Sequence, residues 1–85
     1  MYDDADTLAG QPAGRCVVMG VPRLDAARTR RLAELGLRAG TKVLLRNHTA
    51  GGGRIVAVGD TRIALDRATL LRLPVVPAPD DGHRR

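Results

Sequence analysis

The stretch from Thr29 to Thr41, which reads TRRLAELGLRAGT, leaves a chain of this kind few ways to fold. It has the form of a helix end, a glycine stop, a second tight turn and the start of a strand. Gly36 follows the last leucine of the helical pattern, where a left-handed residue is needed and glycine carries no Cβ penalty. Leu37 then falls where a Schellman motif packs a hydrophobe back onto the helix, with Leu32 as its partner. Gly40 turns the chain again into a run of β-formers. These leucines and glycines fix how a helix meets a sheet.

The flanks extend that reading. Asp25 is a good N-cap for a helix over Ala26 to Leu35, because its carboxylate accepts from free N–H groups and faces the positive end of the dipole. Leu32 and Leu35 share one face of this helix, and Arg28, Arg30, Arg31 and Glu34 face mostly solvent. A helix this short does not persist alone in water, so a sheet must hold it. Before it, Thr7-Leu8-Ala9 forms a single turn with Leu8 docked inward. Arg15 to Val21 forms a first strand, with either Cys16 and Val18 or Val17 and Met19 inward.

After Gly40 the period changes to two. Thr41 to Arg46, Arg54 to Val58 and Thr61 to Leu65 are strands, and Gly59-Asp60 is a two-residue hairpin turn between the last two. Asn47 to Gly53 is a loop whose three glycines make its tip mobile. Asp66 caps one short turn over Arg67 to Leu71, and Leu73 to Val76 is a short edge strand confined there by Pro74. About five short strands with one interposed helix between the first two make this a mainly β chain, a small, mostly antiparallel barrel. The ordered domain spans 7–76, between a frayed acidic segment at 1–6 and a polar tail at 77–85.

Composition narrows the function. The 85 residues contain no Trp and no Phe, so the core must be aliphatic, each large side chain contributing roughly 1.5–3 kcal/mol when fully buried. A single cysteine, Cys16, excludes an intrachain disulfide and reads as a small buried hydrophobe in a reducing compartment. The net charge of +5 raises nucleic acid as a partner. Yet the basic residues, Arg15, Arg23, Arg46, Arg54, Arg62 and Arg72 among them, are dispersed, which favours a solvated arginine-rich surface. Single-strand binders also present aromatics for stacking, and none stands in these strands. A nucleic-acid-binding small barrel is therefore the alternative reading, and no nucleic acid is expected. The acidic N-terminus is unlike a signal peptide, and no apolar run approaches the about 20 residues of a membrane helix. A soluble cytoplasmic protein is expected.

Chemistry-bearing motifs are sparse. Cys16, Met19, His48 and His83 lack the close spacing of a zinc or iron site, so neither a resident metal nor a cofactor is expected. There is no serine, and capping accounts for Asp25, Asp60 and Asp66. Gly51-Gly52-Gly53 lacks the Lys-Ser/Thr and the strand-to-helix setting of a phosphate loop. The chain does not read as an enzyme.

The run from Arg31 to Thr41, continued by Val43, resembles the RLxxLGLxPGxxV signature of the FeoA family. Thr7-Leu8 with Gly14 is similar to the family's opening, and Ile63-Ala64-Leu65 with Val75 to its closing strands. The likeness covers about residues 7 to 76. Three departures stand out: Ala39 where the family often has Pro, Ala50-Gly51-Gly52-Gly53-Arg54 where it often reads PLGDP, and Asp66 where it tends to have Arg.

The resemblance implies an SH3-like barrel with the helix laid across it. It also implies a small non-enzymatic cytosolic component of bacterial ferrous iron uptake, associated with the FeoB membrane transporter and its GTP-binding domain. Such a protein would meet the membrane only through that partner. On this reading Arg28, Arg31, Leu35, Leu37 and Arg38 form the patch offered to the partner, with Gly36 and Gly40 as structural turn residues. Core packing accounts for Leu35 and Leu37 equally well, and plain solvation for the arginines. A third reading is that the module senses Fe²⁺ directly.

Overall fold

The computed structural model describes residues 6–78, and the outer parts of both expected tails lie outside them. Five antiparallel strands, β1 (Cys16–Met19), β2 (Lys42–His48), β3 (Arg54–Val58), β4 (Thr61–Leu65) and β5 (Val75–Pro77), form one sheet in the order β4-β3-β2-β1-β5. Helix α1 (Ala26–Glu34) joins β1 to β2, and the single turn α2 (Arg67–Leu70) joins β4 to β5. The fold is thus mainly β, as the sequence predicts.

The sheet curls round one core. Cross-strand neighbours Leu45, Val56 and Ile63 continue a buried row over three strands, and Val17 opposite Val43 and Met19 opposite Val75 extend it. The register of β1 therefore sends Val17 and Met19 inward, and Cys16 is only partly buried. Leu8, Leu32, Leu37, Leu70 and Leu73 fill the open side from the helices and turns. Leu8 arrives on a 3₁₀ turn over Leu8–Gly10, capped by the Thr7 hydroxyl, which accepts from the Ala9 N–H at 3.2 Å.

The connection after α1 is a Schellman motif. Gly36 has φ +102°, its N–H donates to the Ala33 carbonyl at 3.0 Å, and the Leu37 N–H donates to the Leu32 carbonyl at 2.9 Å. Both leucines of the pair are in the core. The next turn closes with the Thr41 N–H on the Arg38 carbonyl at 3.0 Å, and Gly40, at φ +88°, supplies the positive φ of a type II turn. The Gly40 N–H meanwhile donates to the Met19 carbonyl at 2.7 Å, tying this turn to β1.

Several expected boundaries move. β1 ends at Met19, and just past it the Gly20 N–H donates to the Pro74 carbonyl at 2.8 Å, an approach so close that a Cβ on Gly20 would sit 3.2 Å from that oxygen. β2 runs through His48, carried past a register shift between Leu45 and His48. The glycine loop tightens into a 3₁₀ turn over Ala50–Gly52. Gly53 is buried, and a Cβ there would lie 2.6 Å from the Leu65 carbonyl oxygen, so close packing dictates that glycine. β5 is displaced to Val75–Pro77, and Ala78 is buried with its N–H on the Cys16 carbonyl at 3.2 Å. The ordered chain thus continues beyond residue 76.

Arg54 departs furthest from expectation. Far from belonging to a solvated surface, it is 0% exposed, because alternation along β3 puts it on the same inward face as Val56. Its Nη1 donates to the Leu8 carbonyl at 3.1 Å and the Gln11 carbonyl at 2.5 Å, and its Nη2 to the Arg46 carbonyl at 3.2 Å. Arg46 lies within the register shift of β2, where its carbonyl is open to a side-chain donor. Burial pushes the Arg54 pKa down, yet a guanidinium stays charged.

Two stability measurements follow. Ala39 occupies the second position of the type II turn, where proline is pre-organised, so Ala39→Pro should raise unfolding stability by about 0.4–1 kcal/mol in urea titration. Arg54→Ala should lower it by at least about 1–3 kcal/mol, since buried carbonyls lose their donors.

Candidate functional site

A groove of about 410 Å³ runs between α1 and β4. Leu24, Arg28, Arg31, Leu32 and Leu35 line it from the helix side, and Ile63, Ala64, Leu65, Asp66 and Thr69 from the other. The helical spacing that predicts a shared face for Leu32 and Leu35 divides their roles. Leu32 is buried in the core, whereas Leu35, at the helix C-cap, is 46% exposed and leaves an apolar surface at the groove. Arg28 and Arg31, one turn apart, stand exposed along the same wall.

The helix wall is fixed at both ends. The Asp25 carboxylate accepts from the Arg28 N–H at 2.8 Å, and the Thr29 hydroxyl donates to the Leu24 carbonyl at 3.3 Å. The C-terminal end carries the Schellman stop, and Arg38 Nε donates to the Ala33 carbonyl at 3.2 Å. On the opposite wall Asp66 caps α2, accepting from the Thr69 N–H at 2.9 Å. Hydrogen bonds from the Thr69 side chain and backbone hold the Asp66 carboxyl below the ordinary carboxylate range, and the charge of Arg28 lowers it further. A second hollow, of about 420 Å³ and lined by Leu24, Arg28, Asp66, Ala68, Thr69 and Arg72, continues the groove past α2.

Of the five residues picked out in the sequence, the groove gathers Arg28, Arg31 and Leu35. Leu37 is 0% exposed and belongs to the core, and Arg38 lies outside the groove lining, spent on the helix C-terminus. The β4–α2 wall went unread because Ile63, Ala64 and Leu65 look like any aliphatic strand. Only Asp66, where the resemblance leads one to expect Arg, marks that position in the sequence. Among the described residues no group of three or more His, Cys, Asp or Glu comes together. His48 is exposed at the end of β2. Nor is any helix among them long and apolar enough to cross a membrane.

The Asp66 cap gives a pH dependence of definite sign. A carboxyl lowered in the folded state stabilises above its unfolded value, and that contribution vanishes as pH falls through the folded value. Asp66→Ala should therefore destabilise at neutral pH, and the gap between variant and parent in urea midpoints should close on acidification.

Comparison with known proteins agrees with the fold. The FeoA domain profile matches residues 9–75, most of the chain. No curated protein gives a significant match. Zinc-complexed FeoA from Stenotrophomonas maltophilia, described as a prokaryotic SH3 domain protein and suggested to activate bacterial ferrous iron transport, superposes with a TM-score of 0.69 at 34% identity. That alignment covers 93% of this chain and 98% of the other. The FeoA protein of Chlorobium tepidum gives 0.78 at 25% identity over 91% of this chain and 75% of its own. Iron(II) transport protein A of Clostridium thermocellum gives 0.77 at 14% identity, over 85% of this chain but 45% of the other, so this chain spans under half its length. Together, the profile match and the shared SH3-like sheet show that the chain belongs to the FeoA family.

Proposed function

We propose that this chain is a non-enzymatic accessory module of bacterial ferrous iron transport. It acts in the cytoplasm by docking on the cytosolic GTP-binding part of a FeoB-type transporter. The observation that carries this reading is the α1–β4 groove, with an apolar lining and two exposed arginines on one wall. Such a surface suits protein recognition, in which a central apolar contact supplies affinity and rim charges steer the encounter. Family membership and the transport role suggested for the Stenotrophomonas maltophilia protein support the pathway.

Two substitutions test the assignment by calorimetry against an isolated FeoB cytosolic domain. Leu35→Ala removes a half-exposed side chain and should weaken binding by roughly tenfold or more. Arg31→Glu should slow association and reduce its salt dependence. Unchanged affinity and kinetics in both variants would remove the groove from the function. Tight, steeply salt-dependent binding of RNA or DNA by the parent would favour the nucleic-acid reading instead.

A further inference from the structure

The two edges of the sheet are treated differently. β5 is three residues long, ends in Pro77, and follows Pro74, which Thr7 already bridges. Prolines and short length are the usual protection of an edge. β4 is five residues long, contains no proline, and keeps an unbroken register with β3 from Val58–Thr61 to Arg54–Leu65.

That register fixes which backbone groups of β4 look outward. A two-residue hairpin closes with Val58 and Thr61 as a hydrogen-bonded pair, so Val56–Ile63 and Arg54–Leu65 are the other bonded pairs. The N–H and C=O groups of Arg62 and Ala64 then point away from the sheet. Neither residue makes a backbone hydrogen bond to another element among the described residues. The groove meets this edge. Ile63, Ala64 and Leu65 alternate between the sheet's faces yet all line it, so it runs along the strand's free side with α1 as its far wall.

We propose that β4 accepts an extended segment of a partner protein as an added strand, with aliphatic side chains directed into the α1–β4 groove and acidic ones beside Arg28, Arg31 and Arg62. Strand addition of this kind takes affinity from main-chain hydrogen bonds and specificity from alternate side chains. Charge selects the occupant. Arg28, Arg31 and Arg62 are exposed around the edge, and the one carboxylate in the groove lining, Asp66, is already engaged by Thr69. A second copy paired edge to edge would bring two sets of these arginines to one seam, which disfavours it. The inference deepens the docking reading above and names the form of the segment that docks.

The test titrates the isotopically labelled chain with a capped peptide of alternating Glu and Val, followed by amide NMR and hydrogen exchange. Controls are a Lys–Val peptide and a Glu–Val peptide N-methylated at alternate residues. Binding of the Glu–Val peptide with new protection of the Arg62 and Ala64 amides is the expected result. The N-methylated peptide should bind at least about tenfold more weakly through the loss of roughly one hydrogen bond or more, and the Lys–Val peptide at least about tenfold more weakly through repulsion from the arginines. Ala64→Pro, which removes an outward N–H, should weaken the parent peptide equally while thermal unfolding shows the fold intact. Perturbation limited to α1, equal binding of the N-methylated peptide, no binding, or protection of β4 by dimerisation without peptide would each overturn the proposal. The FeoB cytosolic domain separates the two levels. If it binds parent and Ala64→Pro equally, strand addition fails and docking stands. If it binds neither while the peptide binds, docking on that domain fails and strand addition stands.

Discussion

A single buried guanidinium ties together the parts of this fold that the sheet alone leaves separate. Arg54 sits on the inward face of β3 and donates to carbonyls of the N-terminal turn and of β2. In a domain this small the aliphatic core has little margin, and the first turn would otherwise rest on Leu8 and a few backbone bonds. Among the described residues its hydrogen-bond partners are backbone carbonyls, whose dipoles stabilise the buried charge. The shifted register of β2 belongs to the same arrangement, since it contains the Arg46 carbonyl that the side chain reaches.

The helix-to-strand connection was the most legible part of the molecule. Gly36, Gly40, Leu32 and Leu37 announce their conformations because each answers a local backbone demand. Asp25 and Asp66 do the same as caps. Arg54 was illegible for the opposite reason. Its burial depends on carbonyls up to 46 residues away in the chain, and composition files it with the surface arginines. The register of β1 was likewise undetermined until β2 and β5 flanked it, because both faces of that strand are apolar.

The candidate site divides in the same way. Its helix wall follows from helical spacing, which brings Arg28, Arg31 and Leu35 to one side. Its β4 wall depends on how far the sheet curls, a global property that no local pattern encodes. Leu37 shows the limit of spacing arguments, because a leucine just past a helix serves the Schellman contact before it serves any partner. In this chain the FeoA signature accordingly encodes a backbone geometry, and the proposed docking groove is laid on the frame it creates.

The inequality of the two sheet edges has a consequence for stoichiometry. A protein with two receptive edges can add neighbours indefinitely and grow into filaments. Among the described residues, the Ala78 and Pro74 backbones bond inward to β1 and Pro77 leaves the outer side of β5 without an N–H, so β4 is the edge open to pairing. A partner strand added at β4, as proposed above, would thus leave the complex at one partner per chain, with Pro77 opposing growth on the side of the molecule away from β4.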